Sequence, residues 1–322
     1  MSTDPAEVTG PPSRAAGHGD PARPAPTLCT YVDAATAVLA EAGVPSPRHD
    51  ALALAAYALG LPRVEPALAP PLPDGFAAEL AGLVERRRLR EPLQHIVGYT
   101  VFRYVTLRVE PGVFVPRPET ETVAQLAVDE AAALAARGRQ PVVVDLCTGT
   151  GAIAISVDTE VPASRVVAVD LSAEAVALAR ANAGASAGLD LRVEQGDVRD
   201  PALLADLEGG VDVLVSNPPY IPPDAVPVDP EVRDHDPDLA LYGGGTDGLD
   251  VPRAVIVAAA RLLVPGGLLV MEHAEVQGDA ARAAALATGA FDEVRTLPDL
   301  TGRPRTLVAR RRARPDVGDS PA

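Results

Sequence analysis

Apolar positions recur at i, i+3 and i+4 through "YVDAATAVLAEAG" and "SPRHDALALAAYALG", and each run stops at a glycine. Amphipathic helices do this when a left-handed residue follows their last turn. "DGFAAELAGLVERRRLR" repeats the period, with Asp74 as candidate N-cap and cations in the closing turn. Residues 27–92 therefore predict a small, Ala-rich helical domain, which alone declares no chemistry. In "LQHIVGYTVFRYVTLRVEPGVFV" the pattern shifts toward alternation and β-branched residues. Residues 93–115 accordingly read as a β-hairpin linker.

From residue 116 to 311 a different rhythm holds. "PVVVDLC" predicts a buried strand, "TGTGAIAISV" a turn into a helix, "RVVAVDL" a strand and "SAEAVALARANA" a helix. "LRVEQGD" and "VDVLVSN" follow as strands, then "PRAVIVAAARLLVPGG" as a helix and "LLVMEH" as a strand. Such alternation predicts an α/β fold with a doubly wound, mostly parallel sheet. Ligands in these sheets sit beyond the carboxyl ends of the strands, where Asp145, Asp170, Asp197 and Asn217 would project. The strand in "VLVSNPPYIPP" must stop near Ser216, because proline cannot donate to a ladder and restricts the residue before it.

Charge narrows the partners. The 322 residues carry a formal net charge of −16, and every cation other than histidine is arginine. An acidic chain gains no long-range attraction to phosphates, which argues against broad nucleic-acid binding. Cys29 and Cys147 are too few and too far apart for a disulfide framework or a metal spacing, so a reducing cytoplasm is the expected compartment. The amino-terminal stretch lacks an apolar core of the signal-peptide kind, and no uncharged apolar run reaches membrane-spanning length. Residues 1–26 and 312–322 are polar and Pro/Gly-rich and are expected to be disordered. The run Arg310, Arg311, Arg312 is either a phosphate patch or the solvated end of a last strand.

The candidate chemistry lies at the strand ends. "DLCTGTG" runs from Asp145 to Gly151, and its glycines let backbone approach a ligand closely. Its spacing is neither the dinucleotide G-x-G-x-x-G nor a Walker loop. Asp170, at the end of the next strand, suits a ribose diol, and Asp197, beyond the strand after that, suits an adenine amino group. Together, in this order, they point to an adenosyl ligand. Asn217, Pro218, Pro219 and Tyr220 then hold a carboxamide oxygen, a backbone carbonyl and a ring face in fixed relation. This suits an NH₂ group that must present its lone pair to an electrophile. The plainer alternative is a strand-ending turn with an incidental asparagine.

"SNPPY" after "DLCTGTGAIAI" and "VAVDLSAEAVALARAN" resembles the S-adenosylmethionine-dependent amino-methyltransferases. "FVPRPETE", "REPLQHIVG", "ALYGGGTDGLD" and "LLVPGGLLVMEH", in that order, narrow the resemblance to the PrmC/HemK family of peptide chain release factor N5-glutamine methyltransferases. The resemblance spans residues 27–311. It implies a Rossmann-like class I methyltransferase domain behind a small helical domain, and methylation of the glutamine in the GGQ motif of release factors. It implies an S-adenosylmethionine site at Asp145, Cys147, Thr148, Gly149, Thr150, Gly151, Asp170, Asp197, Val198 and Asn217. It also implies a glutamine site at Asn217, Pro218, Pro219 and Tyr220, of which Asn217, Pro218 and Tyr220 act on the reacting nitrogen. This chain departs from the family's usual pattern at Cys147, where a glycine is common. Val198 replaces an aromatic found in some members, and Ala274 stands where a glycine is common.

Around these positions the alternatives stay open. Glu119 and Glu121 contact cofactor or substrate, or form an exposed charged loop. Thr148 and Thr150 donate to the cofactor's carboxylate or only shape the turn. Cys147 reads as a small loop residue, and His95 and His273 as helix-end or supporting residues. The helical domain is expected to dock the protein partner. Rival functions are a nucleic-acid adenine methyltransferase, for which the acidic balance is unfavourable, an NAD-dependent oxidoreductase, for which the glycine spacing is wrong, and a non-catalytic interaction protein.

Overall fold

Helices α1 (Leu28–Glu41) and α2 (Pro47–Ala58) end at Gly43 and Gly60, whose φ angles of 70° and 62° are left-handed. In both, the two N–H groups at the end bond back to carbonyls of the last turn: Gly43 to Ala40 and Val44 to Leu39, Gly60 to Tyr57 and Leu61 to Ala56. This is the double closure that a glycine after the C-cap permits. The computed structural model describes residues 26–68, 71–186 and 191–313. The tails expected at 1–26 and 312–322 thus lie almost wholly outside the described residues.

Helix α3 (Phe76–Arg88) completes the helical domain, with Val32, Leu39, Leu54, Phe76 and Leu80 in its core. Tyr31 packs edge-on against Phe76 with ring centroids 5.6 Å apart. Asp74 does not cap α3. A turn bonds Phe76 N–H to Pro73 C=O, which places Gly75 at the N-cap in a left-handed conformation with no side-chain cap.

The linker differs from the expected pair of strands. Its first five residues form a short helix, α4 (Leu93–Val97), because Leu93, Ile96 and Val97 fall at helical spacing against the first three helices. Gly98, at φ 82°, ends it. Only then do β1 (Tyr99–Phe102) and β2 (Val105–Arg108) pair as a hairpin. Phe102, Val105 and Leu107 bury its inner face in the core of the second domain.

That domain runs α5 (Thr120–Ala135), β3 (Val142–Leu146), α6 (Ala152–Glu160), β4 (Arg165–Asp170), α7 (Ala173–Ala185), β5 (Arg192–Gln195) and β6 (Val211–Ser216). It continues through α8 (Pro230–His235), α9 (Asp238–Leu241), α10 (Asp250–Leu262), β7 (Leu263–Glu272), α11 (Gly278–Ala287), β8 (Phe291–Pro298) and β9 (Pro304–Arg311). The seven strands lie in the order β5-β4-β3-β6-β7-β9-β8. The first five are parallel, β9 is antiparallel to β7, and β8 is antiparallel to β9. Alternate residues serve opposite faces, as the two-residue strand period requires. Val143, Val166, Ala168, Val213 and Val215 pack with α5, α6 and α7. Val144, Val167, Val169, Leu214 and Met271 pack with α10 and α11.

Helix α10 stops at Leu262 rather than running through "VPGG", because Leu263 already pairs with Val211 in the sheet. Arg310 and Arg311 close β9, the last strand, and Arg312 stands exposed just past it, so the run is the end of a last strand. Arg310 pairs with Glu130, and Arg311 and Arg312 donate to the carbonyls of Ala260, Ala290 and Phe291. Among the described residues no helix is long and apolar enough to cross a membrane.

Candidate active site

Strand β3 ends in Leu146, and the chain must then turn sharply to start α6. It does so through three left-handed residues, Cys147 at φ 61°, Gly149 at 57° and Gly151 at 85°. Only Cys147 carries a Cβ there, so it holds a conformation that costs an L side chain on the order of 1–2 kcal/mol. Thr148 N–H bonds to Val169 C=O at 3.0 Å and fixes the loop over β4. A Cβ on Gly151 would lie 3.0 Å from Ile155 and 3.3 Å from Ala179, so glycine lets α6 and α7 close in. Asn182 of α7 fastens the loop from behind, donating to the carbonyls of Thr150 and Arg108 while accepting from Arg108 N–H. The hairpin and the glycine loop are therefore one hydrogen-bonded unit.

Asp145 is fully buried. Its Oδ2 accepts from Thr148 Oγ1 at 2.6 Å and from Ala154 N–H at 3.2 Å, capping the start of α6. Its Oδ1 has no partner among the described residues. Burial pushes this carboxyl up to about 7 against the pull of those two hydrogen bonds. Burial also pushes the Cys147 thiol up, with the Asp170 charge adding to it, which leaves the thiol protonated and a poor nucleophile.

Asp170, at the end of β4, accepts from Gly149 N–H at 2.8 Å and Ser172 N–H at 2.9 Å. Those two bonds aim its carboxylate across the mouth of the glycine loop. Asp197 lies two residues past β5 and is held by Arg199 at 2.8 Å, which keeps its carboxyl below the usual range. Val198 beside it is half-buried against the core of the α10 face.

Strand β6 ends at Ser216, where the prolines end it, and Ser216 Oγ donates to Leu146 C=O at 2.6 Å. Asn217 donates its Nδ2 to Thr120 Oγ1 at 3.2 Å, and Thr120 donates to Glu272 Oε2 at 2.8 Å. Tyr220 donates its phenol to Glu272 Oε1 at 3.1 Å. The backbone beyond is equally constrained. Ile221 and Tyr242 form a bridge, and Gln277 donates to the carbonyls of Tyr220 at 2.7 Å and Asp247 at 2.8 Å. A Cβ on Gly243 would lie 2.6 Å from Pro219 O and one on Gly248 2.2 Å from Tyr220 O. This close approach accounts for Gly243 and Gly248 of "ALYGGGTDGLD", while Gly244 and Gly245 hold left-handed φ angles of 77° and 67°.

The loops at these strand ends open on one cleft of about 1130 Å³. It is lined by Cys147, Thr148, Gly149, Thr150, Asp170, Asp197 and Val198 on one side, and by Asn217, Pro218, Pro219 and Tyr220 on the other. Asp145 and Gly151 sit behind the glycine loop and shape it. Glu119 lies on the cleft wall, within 3.7 Å of Arg303. Glu121 turns away and accepts from Arg103 N–H at the hairpin turn. His95 packs against His235 at 6.3 Å, and His273 is buried with its Nδ1 at the Ala274 carbonyl; neither lines the cleft. Ala274 has φ −66°, a conformation any residue adopts, so the lack of glycine there carries no strain. Thr120, Glu272 and Gln277 were not read from the sequence. Thr120 and Glu272 lie inside noted motifs, "FVPRPETE" and "LLVMEH", yet their contact spans 152 residues and no local spacing signals it.

A PrmC N-terminal domain model matches residues 31–98, and a methyltransferase small domain model matches residues 105–228. A release factor glutamine methyltransferase from Bifidobacterium longum is 47% identical over 294 residues, 88% of this chain and 99% of that one. The protein of that name from Streptomyces coelicolor is 49% identical over 88% of this chain and 98% of its own. The one from Mycolicibacterium smegmatis is 46% identical over 89% and 99%. With both of its parts matched and relatives this similar along nearly their whole length, the chain belongs to the release factor glutamine methyltransferase family.

Proposed function

We propose that this protein transfers the methyl group of S-adenosylmethionine to the N5 side-chain nitrogen of a glutamine in peptide chain release factors. The observation that carries this reading is the placement of Asn217, Pro218 and Tyr220 in the same cleft as Asp170 and the glycine loop. The named relatives support the choice of substrate.

The residues present fit such a cofactor. Asp145 Oδ1, buried behind the loop, has no partner among the described residues, Gly149 leaves the cleft wall free of a side chain, and Asp170 is aimed by two backbone bonds. Asp170 would accept from the ribose hydroxyls, and Asp197 and Val198 would flank the adenine. When bound, the cofactor supplies an electrophilic methyl group on a sulfonium.

An amide nitrogen is a weak nucleophile because its lone pair is shared with the carbonyl. Orientation and charge stabilisation must therefore do most of the catalysis. Asn217 Oδ1 and the Pro218 carbonyl would accept the two amide N–H bonds, turning the lone pair toward the methyl group and stabilising positive charge developing on nitrogen. Tyr220 would stack on the planar amide. The prolines prepay part of the ordering entropy during folding.

We assign docking of the protein substrate to the helical domain, residues 27–92. The test of the whole reading is mass spectrometry of release factor incubated with protein and S-adenosylmethionine, with duplex DNA as the competing acceptor. One methyl group mapped to one glutamine is expected. Methylated DNA with unmodified release factor would favour the adenine-methyltransferase alternative.

A further inference from the structure

We propose that Thr120 and Glu272 are positioning residues that set the orientation of the Asn217 carboxamide, and that Glu272 holds the Tyr220 ring by the same device; this rests on the glutamine-methyltransferase reading above. Glu272 stands at the end of β7, buried, with both oxygens engaged: Oε2 by Thr120 at 2.8 Å and Oε1 by Tyr220 at 3.1 Å. An ionised carboxylate only accepts hydrogen bonds. The single proton of the Thr120 hydroxyl is thus committed to Glu272, and its oxygen is left to accept. It accepts from Asn217 Nδ2 at 3.2 Å.

The consequence falls on the other end of the carboxamide. With Nδ2 committed to Thr120, Oδ1 is the atom presented to a ligand. A flipped amide would set Oδ1 against an oxygen with no proton to give and would present NH₂ to the substrate's own NH₂. The chain Glu272–Thr120–Asn217 therefore gives direction to a group whose two orientations are otherwise nearly the same shape. It also turns the negative end of each dipole toward the nitrogen where positive charge develops. Burial raises the Glu272 pKa above the ordinary glutamate value and the Glu119 charge adds to this, while the bonds from Thr120 and Tyr220 and the nearby Arg305 charge pull toward the charged form. Protonation of Glu272 would convert one of its acceptors to a donor and remove the direction.

The experiment compares wild type with Thr120→Val, Thr120→Ser, Glu272→Gln and Asn217→Ala, alone and with Thr120→Val combined with Asn217→Ala. Turnover and KM on intact release factor are read beside S-adenosylmethionine affinity by titration. Valine matches threonine in shape, so a purely packing role would leave it silent. Loss of a hydrogen bond to a charged group predicts a fall in kcat of about ten- to a hundredfold for Thr120→Val, with cofactor affinity held within about twofold. Thr120→Ser, which keeps the hydroxyl, is expected to restore most of the turnover. The double variant is expected to be no slower than Asn217→Ala alone, since both changes remove one unit.

Glu272→Gln offers one acceptor to two hydroxyl donors and carries the test if Thr120→Val does not fold. It too should lose turnover without losing cofactor affinity. Turnover within about twofold of wild type in either variant, or effects of Thr120→Val and Asn217→Ala that multiply, would overturn the relay. Wild-type protein that methylates no release-factor glutamine would instead overturn the substrate reading, and the relay with it.

Discussion

Arg87 Nη2 donates to Glu231 Oε1 at 2.8 Å, joining α3 of the helical domain to α8 on the wall of the cleft, 144 residues later. The same guanidinium reaches Asp50 at 2.7 Å and the Glu91 carbonyl at 2.9 Å, while Arg90 meets Glu231 from a second side. Burial acts to lower the Arg87 pKa, but the bonds to Glu231 and Asp50 outweigh it and the group is held above its ordinary value. Asp229 caps α8, and Val232 on that helix lines the cleft. A partner held by the helical domain would therefore bear on an element of the cleft itself.

Glu231→Ala should destabilise the protein by about 1–3 kcal/mol, because two guanidiniums lose a shared, largely desolvated acceptor. The exposed pair Arg48–Asp33 gives the contrast, since Asp33→Ala should cost at most about 1 kcal/mol. Urea unfolding of both variants checks this. Equal losses would mean that the contact between the domains is no stronger than an ordinary surface pair.

Asp170→Ala should weaken S-adenosylmethionine binding by roughly 1.5–3 kcal/mol, through loss of a charge-assisted acceptor for the ribose. Part of that loss could come from the glycine loop, because the carboxylate also holds Gly149 N–H. Asp170→Asn retains an oxygen for Gly149 and isolates the charge. Titration calorimetry should rank wild type above Asn above Ala, and equal affinities would remove Asp170 from the cofactor site.

Asn217→Ala should reduce turnover by about a hundred- to a thousandfold, the usual loss when one preorganised polar group leaves a reacting centre. Asn217→Asp should fail as well, since a charged acceptor replaces the NH₂ that Thr120 accepts from. Cofactor affinity should change far less than turnover in both. Single-turnover methyl transfer and titration on the same preparations decide it, and near-normal transfer by the alanine variant would leave the segment as only a turn.

Gly243→Ala should cost about 1–3 kcal/mol in stability, as overpacking does. Its Cβ would meet Gly248 O at 1.9 Å and Pro219 O at 2.6 Å, so the backbone beside Asn217 must shift. Turnover should drop further than the folded fraction does, which circular dichroism and activity measured at one temperature would separate.

Asp145 gives a pH dependence with a definite sign. Burial raises its folded pKa from the ordinary 3.8 to about 7, so the native protein holds a proton that the unfolded chain releases. Its contribution to stability is present below the unfolded value and is lost as pH rises through about 7. Asp145→Asn cannot titrate. The stability of wild type minus that of Asp145→Asn should decline from acid to neutral pH and level off above it. A difference independent of pH would show that the group is not shifted.

The periodic elements were legible from the order of residues alone. Apolar spacing located α1, α2 and α3, the strand–helix alternation announced the parallel sheet, and Pro218 ended β6 at Ser216 through the chemistry of one ring. The row Asp170, Asp197 and Asn217 was legible because carboxyl ends of parallel strands share an edge, whereas Asp145, expected to project with them, lies buried inside β3 and off the cleft. Asp74 and the α4 segment misled because both turn on backbone placement, a left-handed Gly75 in one case and packing of Ile96 in the other.

Which groups act together follows from the packing of distant elements. Thr120 and Glu272 are 152 residues apart, Arg87 and Glu231 are 144 apart, and each pair meets because separate elements pack side by side. Hydrogen-bond direction between such residues depends on distance and on burial, and a linear pattern encodes neither. Gly243 makes the same point, since its need for a missing side chain comes from the carbonyls of Gly248 and Pro219, 1.9 and 2.6 Å from where a Cβ would stand.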